Sequence, residues 1–377
     1  MNEPKLRFPE FKDIWNSHKI EDMFDRVGTP VDLDDTLTYR EIGIRSHGKG
    51  IFHKDETTAS EIGDKRIFWV EPDCFVVNIV FAWERAVAKT TEAENGMIAS
   101  HRFPMYKPKK DVVDLDYITE YFITKRGQNI LILASPGGAG RNKTLGQKEF
   151  AKSVVKLPSL PEQQKIAEFL STIDTVIEKQ KETVSAWEER KKGVMQKLFG
   201  QEVRFKADDG SDFPEWEEKK LGEILAVHHG KDYKNLKKGN VPVYGTGGII
   251  TYVEDFLCDW ACVCIGRKGT IDKPLYIDTP FWCVDTLFFT KAKDKHIPKF
   301  QFYLFQMIPW KKYNEASGVP SLNASTIQNI NVTIPCPEEQ QKIADCLSSL
   351  DEVIDKQKAT LAAWEELKKG LLQQMFV

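Results

Sequence analysis

Thirty-eight consecutive residues of this chain occur twice. Residues 162–199, EQQKIAEFLSTIDTVIEKQKETVSAWEERKKGVMQKLF, return at 339–376 as EQQKIADCLSSLDEVIDKQKATLAAWEELKKGLLQQMF, offset by 177 without a gap and identical at 24 positions. A chain that repeats itself repeats a structural unit, so the duplication limits every later reading of the fold. In the first copy Ile166, Leu170, Ile173, Ile177, Gln180, Val184, Trp187, Lys191, Val194 and Leu198 follow one another at spacings of four and three. The second copy gives Ile343, Leu347, Leu350, Ile354, Gln357, Leu361, Trp364, Lys368, Leu371 and Met375. This is the a/d stripe of a coiled coil held over about five heptads, and a helix of that length measures about 55 Å.

The stripe is too long and regular for one small domain to cover, so the nearest partner for each helix is the other helix. The long connection between them permits an antiparallel pair. The alternative is two independent amphipathic helices, each lying on its own domain. Gln180, Gln357, Lys191 and Lys368 interrupt both stripes at matching places, as polar seam residues that set register do. Gly193 and Gly370 each cost about 1 kcal/mol relative to alanine inside a helix, which points to close helix approach or to contact with another protein.

A weaker repeat opens each unit. FPEFKDIWNSHKIEDMF at 8–24 resembles FPEWEEKKLGEIL at 213–225, placing Trp15 on Trp216 and Ile20 on Leu221. The chain therefore divides into a variable segment at 1–156, a long helix at 157–200, a second variable segment at 201–333 and a second long helix at 334–377. Both variable segments read as mixed α/β with short strands: RIFWV and CFVVNIVFAW in the first, VPVYGTGGIITYV, WACVCIGRKGTI and TLFFT in the second. DLDYITEYFITKR and PKFQFYLFQMI read as helices. Aligned backward from the long helices, Leu145 falls on Leu322 and Phe150 on Ile327.

Bulk properties exclude more than they propose. Charges balance within residues 1–157, 158–200 and 201–334, and only 335–377 is acidic, by three charges. A nucleic-acid binder built from this chain has to use local patches. No apolar run reaches membrane-spanning length and no signal-peptide core opens the chain, so a cytoplasmic location is expected. Cys258, Cys262, Cys264 and Cys283 lack metal-site spacing and read as buried thiols.

The stretch NILILASPGGAGRNKT at 129–144 invites a nucleotide reading: an apolar segment, a Gly-rich turn, then Lys143–Thr144. Asn142 stands where that motif needs its last glycine, and no strand-borne aspartate for magnesium accompanies it. The remaining reading is a cationic loop suited to a phosphate belonging to something other than a nucleotide cofactor.

LPSLPEQQKIAEFL and IPCPEEQQKIADCL, each opening a long helix after a variable domain, resemble the specificity (S) subunit of type I restriction–modification systems. VYGTGGI, GRKGT and SGVPSLN, with WERA and SHRFP, look like features of that family's target-recognition domains. The resemblance covers nearly the whole chain. It implies an α+β fold: two mixed α/β target-recognition domains separated by two long helices that form an intramolecular antiparallel coiled coil. It also implies that each domain reads one half of a split double-stranded DNA target, while the helices set the spacing and dock two methyltransferase (M) subunits. S-adenosylmethionine would sit on the M subunits, and ATP and magnesium on the motor–nuclease (R) subunits. This chain itself would be non-catalytic and carry no cofactor. Consistent with that, no [DNS]-P-P-[FYW] methyltransferase motif occurs, and Asp73 with Glu84 lacks a nuclease lysine. The alternatives are a stand-alone DNA-binding or anti-restriction protein of the same fold, or a P-loop NTPase.

Base edges and phosphates are contacted by Arg, Lys, polar and aromatic tips. The candidates for DNA contact in the first domain are Arg45, His47, Lys49, Lys54, Arg102, Arg141 and Lys143. Those in the second are Lys231, Tyr233, Lys234, Tyr244, Thr246, Arg267, Lys268, Ser321 and Asn323. His47, His228 and His229 read as loop or phosphate contacts rather than bases. Ile166, Leu170, Ile173, Ile177, Trp187, Ile343, Leu347, Leu350, Ile354 and Trp364 are the candidates for the coiled-coil or subunit interface.

Overall fold

A computed structural model describes residues 4–137 and 143–376. It confirms an α+β chain with two long helices, Leu160–Phe199 and Pro337–Met375. The chain folds as two compact units, residues 1–181 with 360–377 and residues 182–359, so each long helix is shared between them.

In the first unit, strand Asn16–Lys19 pairs antiparallel with Val154–Leu157 immediately before the first long helix. Strands Phe24–Val27, Met105–Pro108, Phe75–Val77 and Val87–Lys89 form an antiparallel sheet in that order. A second sheet holds the hairpin Thr38–Ile44 and Ile51–Thr58, with Ile98–Ser100 and Ile67–Trp69 beyond it. Helices Leu115–Ile123 and Lys125–Leu133 cover the first sheet through Tyr117, Ile118, Phe122 and Leu131.

The second unit repeats this plan. Glu217–Lys220 pairs with Asn331–Ile334, in the register that the Trp15/Trp216 and Ile20/Leu221 alignment requires. Leu225–His229, Leu287–Ala292, Cys262–Gly266 and Leu275–Ile277 form the matching antiparallel sheet. Hairpin Lys238–Gly245 and Gly248–Val253 carries a short parallel strand, Trp282–Cys283. Helix Pro298–Met307 follows strand Leu287–Ala292 in the chain, as Leu115–Ile123 follows Met105–Pro108 in the first unit.

The reason the repeat keeps its opening Glu-Gln is visible in both units. Glu162 is fully buried and receives Arg7 Nε and Nη2 at 2.7 and 2.8 Å. Glu339 is equally buried and receives Arg204 Nη2 at 2.9 Å and Trp216 Nε1 at 3.2 Å. A buried carboxylate without such partners would be strongly destabilising, so each helix start holds its N-terminal arm. The adjacent glutamine ties the helix start to the domain. Gln163 donates to the carbonyls of Val112 and Pro158 and accepts from Asp114 N at 2.9 Å. Gln340 donates to Pro335 O and reaches His296 Nδ1, and accepts from Ile297 N at 3.1 Å.

Within each unit the helix segments run antiparallel. In the first, Ile166 and Leu170 share a core with Met375 and Phe376, and Lys368 Nζ lies 2.7 Å from Asp174. In the second, Met195 and Leu198 share a core with Ile343 and Leu347, and Lys191 Nζ lies 2.6 Å from Asp351. The seam lysines are thus satisfied by the same aspartate of the repeat. Their third neighbours differ: Glu120 beside Lys368, and the Tyr303 ring 5.1 Å from Lys191. Burial raises the Glu120 carboxyl despite the lysine.

Among the candidate interface residues, Ile166, Leu170, Ile173, Ile177, Ile343, Leu347 and Ile354 are buried, whereas Leu350, Trp187 and Trp364 are half-buried. Close approach within the chain does not explain Gly193 and Gly370: a β-carbon at either would meet nothing within 4 Å. Among the described residues no helix is long and apolar enough to cross a membrane.

Lys368→Ala leaves Asp174 and the half-buried Glu120 without their cation. Its expected cost is about 3 kcal/mol of unfolding free energy. Lys369→Ala, which removes an exposed pair with Glu366, is expected to cost less than about 0.5 kcal/mol. Urea denaturation of the two variants measures the contrast.

Candidate nucleic-acid interface

In the second unit, strand Cys262–Gly266 runs out into Arg267 and Lys268, one strand away from the end of Leu225–His229. Gly266 is required there, since a β-carbon would lie 2.0 Å from the Thr270 carbonyl oxygen. Residues 315–324 close the other side. Arg267 O accepts from Leu322 N at 2.9 Å, Gly269 N donates to Pro320 O at 2.8 Å, and Lys268 forms a β-bridge with Ser321. The result is a cleft of about 340 Å³ lined by His229, Arg267, Lys268, Phe288, Glu315, Ser321, Leu322, Asn323 and Ala324. Four residues singled out from sequence meet here: Arg267, Lys268, Ser321 and Asn323. Arg267 donates through Nη1 to Asp285 O at 3.2 Å, which fixes its guanidinium at the rim.

The other candidates of this unit lie around the hairpin. Thr246 Oγ1 is 3.6 Å from where a β-carbon on Gly269 would sit, so the hairpin turn lies beside the residue that follows Lys268. Tyr244 packs edge-on against Phe281, and Lys231 O accepts from Trp282 Nε1 at 2.8 Å. Tyr233 is half-buried and Lys234 is exposed near Asp232. His228 departs from the expectation of a loop contact: it is on a strand, stacked on Phe289, and burial lowers its pKa. Asn323 also caps helix Ala324–Gln328, its side-chain carbonyl accepting from Ser325 N at 3.0 Å.

The first unit has a cleft that overlaps this position at two places, Gly28 and Pro104, which correspond to His229 and Phe288. Its volume is about 240 Å³, and Arg26, Gly28, Arg66, His101, Phe103 and Pro104 contribute to its lining, with no carboxylate. Arg26 and Arg66 were not legible as site residues. They are single arginines 40 positions apart in segments of two different sheets, brought together where Val31 N donates to Ile67 O and Trp69 N to Thr29 O. Arg102, next to His101, is exposed. Arg45, His47 and Lys49 occupy the turn between strands Thr38–Ile44 and Ile51–Thr58, with Arg45 over the Phe52 ring at 4.9 Å. His47 adopts a left-handed conformation, φ 64°. Lys54 is paired with Glu41 at 2.6 Å. Lys143 Nζ is 5.9 Å from the Trp83 ring, and Arg141 lies outside the described residues.

The nucleotide reading of SPGGAGRNKT fails on its context. NILILA is the end of helix Lys125–Leu133, so no strand feeds the loop. Glu84, considered with Asp73 for a nuclease core, accepts from Ser46 Oγ at 2.7 Å. Among the described residues no group of three or more His, Cys, Asp or Glu is placed to hold a metal ion. Cys258, Cys262, Cys264 and Cys283 sit in an apolar cluster with Phe281 and Phe289. Burial pushes the Cys283 thiol up to about 12, away from the thiolate that binds metals.

Comparison with known proteins agrees with this architecture. The family described as type I restriction modification DNA specificity domain matches residues 75–185 and 214–364. The chain belongs to this family of type I specificity subunits. The MjaVIII specificity subunit of Methanocaldococcus jannaschii is 27% identical over 263 residues, 60% of this chain and 62% of that protein. The putative MjaX specificity subunit of the same organism is 20% identical over 98% of this chain and 95% of its own length. The S subunit from M. genitalium has the same fold, with a TM-score of 0.63 at 18% identity, covering 100% of this chain and 99% of its own. A chain from a type I system studied for complex assembly superposes at a TM-score of 0.58, with 15% identity over 98% of this chain and 99% of that one.

Because Asn323 caps a helix, Asn323→Ala is expected to cost about 1 kcal/mol of stability. Asn323→Asp, which keeps the cap, is expected to leave stability nearly unchanged in thermal unfolding.

Proposed function

We propose that this specificity subunit reads a bipartite DNA sequence, one half with each domain, for a type I restriction–modification complex. One observation carries the reading. Each unit has a cation-bearing cleft that takes in the end of its first sheet strand, at Gly28 or His229, and the neighbouring strand, at Pro104 or Phe288, while the other side chains lining the two clefts are unlike. Two different half-sites call for a shared frame with different tips.

In this reading arginines and lysines of the clefts and neighbouring turns meet base edges and phosphates. Arg267 is the first choice for a base contact. The paired helices set the distance between half-sites and dock two M subunits. The half-exposed Trp187 and Trp364 and the open faces at Gly193 and Gly370 are repeated features suited to two copies of one partner. S-adenosylmethionine belongs to those subunits, and ATP and magnesium to the R subunits. This chain contributes recognition and no catalytic group.

Deleting the gene is expected to abolish methylation at one split motif in the host genome. Exchanging residues 201–333 for those of another family member is expected to change one half of that motif only. Arg267→Ala, assayed in the complex, is expected to weaken binding of the cognate duplex by about 1–3 kcal/mol and relax one half-site. Loss of a continuous motif, or of none, contradicts the proposal. Equal weakening by Arg267→Ala on random duplex reassigns the residue to phosphate contact.

A further inference from the structure

The loop Ile79–Arg85 carries no cation before its last residue, yet it occupies the position of Arg267 and Lys268. Ile79 N donates to Arg102 O at 3.0 Å, and Ile79 O accepts from Leu145 N at 2.8 Å. Arg267 makes the same two bonds, to Thr286 O at 2.7 Å and from Leu322 N at 2.9 Å. Leu145 and Leu322 are the pair that the sequence repeat aligns. One frame thus presents Val80 and Phe81 in the first unit and Lys268 and Gly269 in the second.

Phe81 is 37% exposed at the tip, and the loop is held firmly beneath it. Asn78 Oδ1 accepts from Val80 N at 3.1 Å, and Trp83 Nε1 donates to Val80 O at 3.2 Å. Gln128 Nε2 donates to Trp83 O at 3.0 Å. Two left-handed residues, His47 and Arg85, lie on strands of chain that are bonded together, His47 N to Glu84 O at 2.7 Å and Gly48 N to Arg85 O at 2.9 Å. Non-glycine residues hold this conformation only where surrounding contacts impose it. The same bonds bring the turn bearing Arg45 and Lys49 against the loop. Arg102 is bonded to its start, and Lys143 lies over Trp83. A firmly held phenyl ring, on a loop bonded to segments that carry Arg45, Lys49 and Arg102 and whose own carboxylate, Glu84, is taken up by Ser46, fits a polyanion that also carries apolar groups. In the major groove of DNA that group is the C5-methyl of thymine.

We propose that Phe81 is a specificity-determining residue that reads a thymine methyl of the first half-site, where the second domain offers Arg267. The proposal rests on the DNA-reading function above. Its test uses the chain in complex with its M subunits and duplexes in which first-half-site thymines are replaced singly by uracil. Uracil pairs identically and lacks the methyl. One replacement is expected to weaken wild-type binding about fourfold, the equivalent of about 0.8 kcal/mol for one buried methyl group. Phe81→Ala is expected to bind thymine and uracil duplexes alike, and Phe81→Leu to retain part of the difference. Uracil in the second half-site is expected to affect wild type and Phe81→Ala equally.

The proposal is overturned if no first-half-site uracil weakens the wild type, or if Phe81→Ala keeps the wild-type ratio. A wild-type complex with no preference for the bipartite duplex over a scrambled one would instead overturn the DNA-reading function itself.

Discussion

A lysine placed in an apolar helix seam has to find a carboxylate, and in this chain that requirement decides how the two long helices pair. Lys191 and Lys368 are the same residue of the repeat, and so are Asp174 and Asp351. A parallel, in-register pair would set Lys191 against Lys368, two like charges in a half-buried seam. The antiparallel pair sets each lysine on the other helix's aspartate, at 2.6 and 2.7 Å. The apolar seam supplies most of the association energy but tolerates slippage by a heptad. The polar positions do not, which is how a costly residue earns its place in such an interface.

The second constraint acts at the helix starts. Glu162 and Glu339 are buried with arginine partners from arms that precede each domain. Gln163 and Gln340 bind backbone at the start of the domain's own helix, Asp114 N in one unit and Ile297 N in the other. These bonds use main-chain atoms of the domain, so its side chains are free to change. That explains why the helices of the repeat remain alike while the variable segments do not. It also explains how Ile79 and Arg267 occupy one frame with opposite chemistry.

Much of this was legible because helical periodicity and gapless duplication are local signals. The seam, the 177-residue offset, the Trp15/Trp216 match and the Leu145/Leu322 match all follow from reading one copy against the other. What was not legible depends on contacts distant in sequence. NILILA has strand-like composition, but packing against the first sheet makes it the end of a helix. Lys54 looks like a free cation until the hairpin brings Glu41 beside it. Asn323 reads as a polar tip, and the cap it provides through its side-chain carbonyl shows only in the fold. Arg26 and Arg66 carry no motif and come to line one cleft where backbone bonds join the segments that follow them, residues 29–31 and 67–69. The Glu-Gln of the repeat was visible as a pattern, while its work as a latch was not, since Arg7 and Arg204 and the backbone of Val112, Asp114 and Ile297 are all distant from it in sequence.

The pairing of the helices can be read directly by zero-length carbodiimide cross-linking of the purified chain, followed by peptide mapping. Glu188 lies 2.6 Å from Lys358, and Lys191 lies 2.6 Å from Asp351. The expected products are intramolecular Glu188–Lys358 and Lys191–Asp351 links. Links from Glu188 to Lys368 or Lys369 would mark a parallel pair, and links found only between chains would mark helices that do not pair within one molecule. Either result would contradict the account.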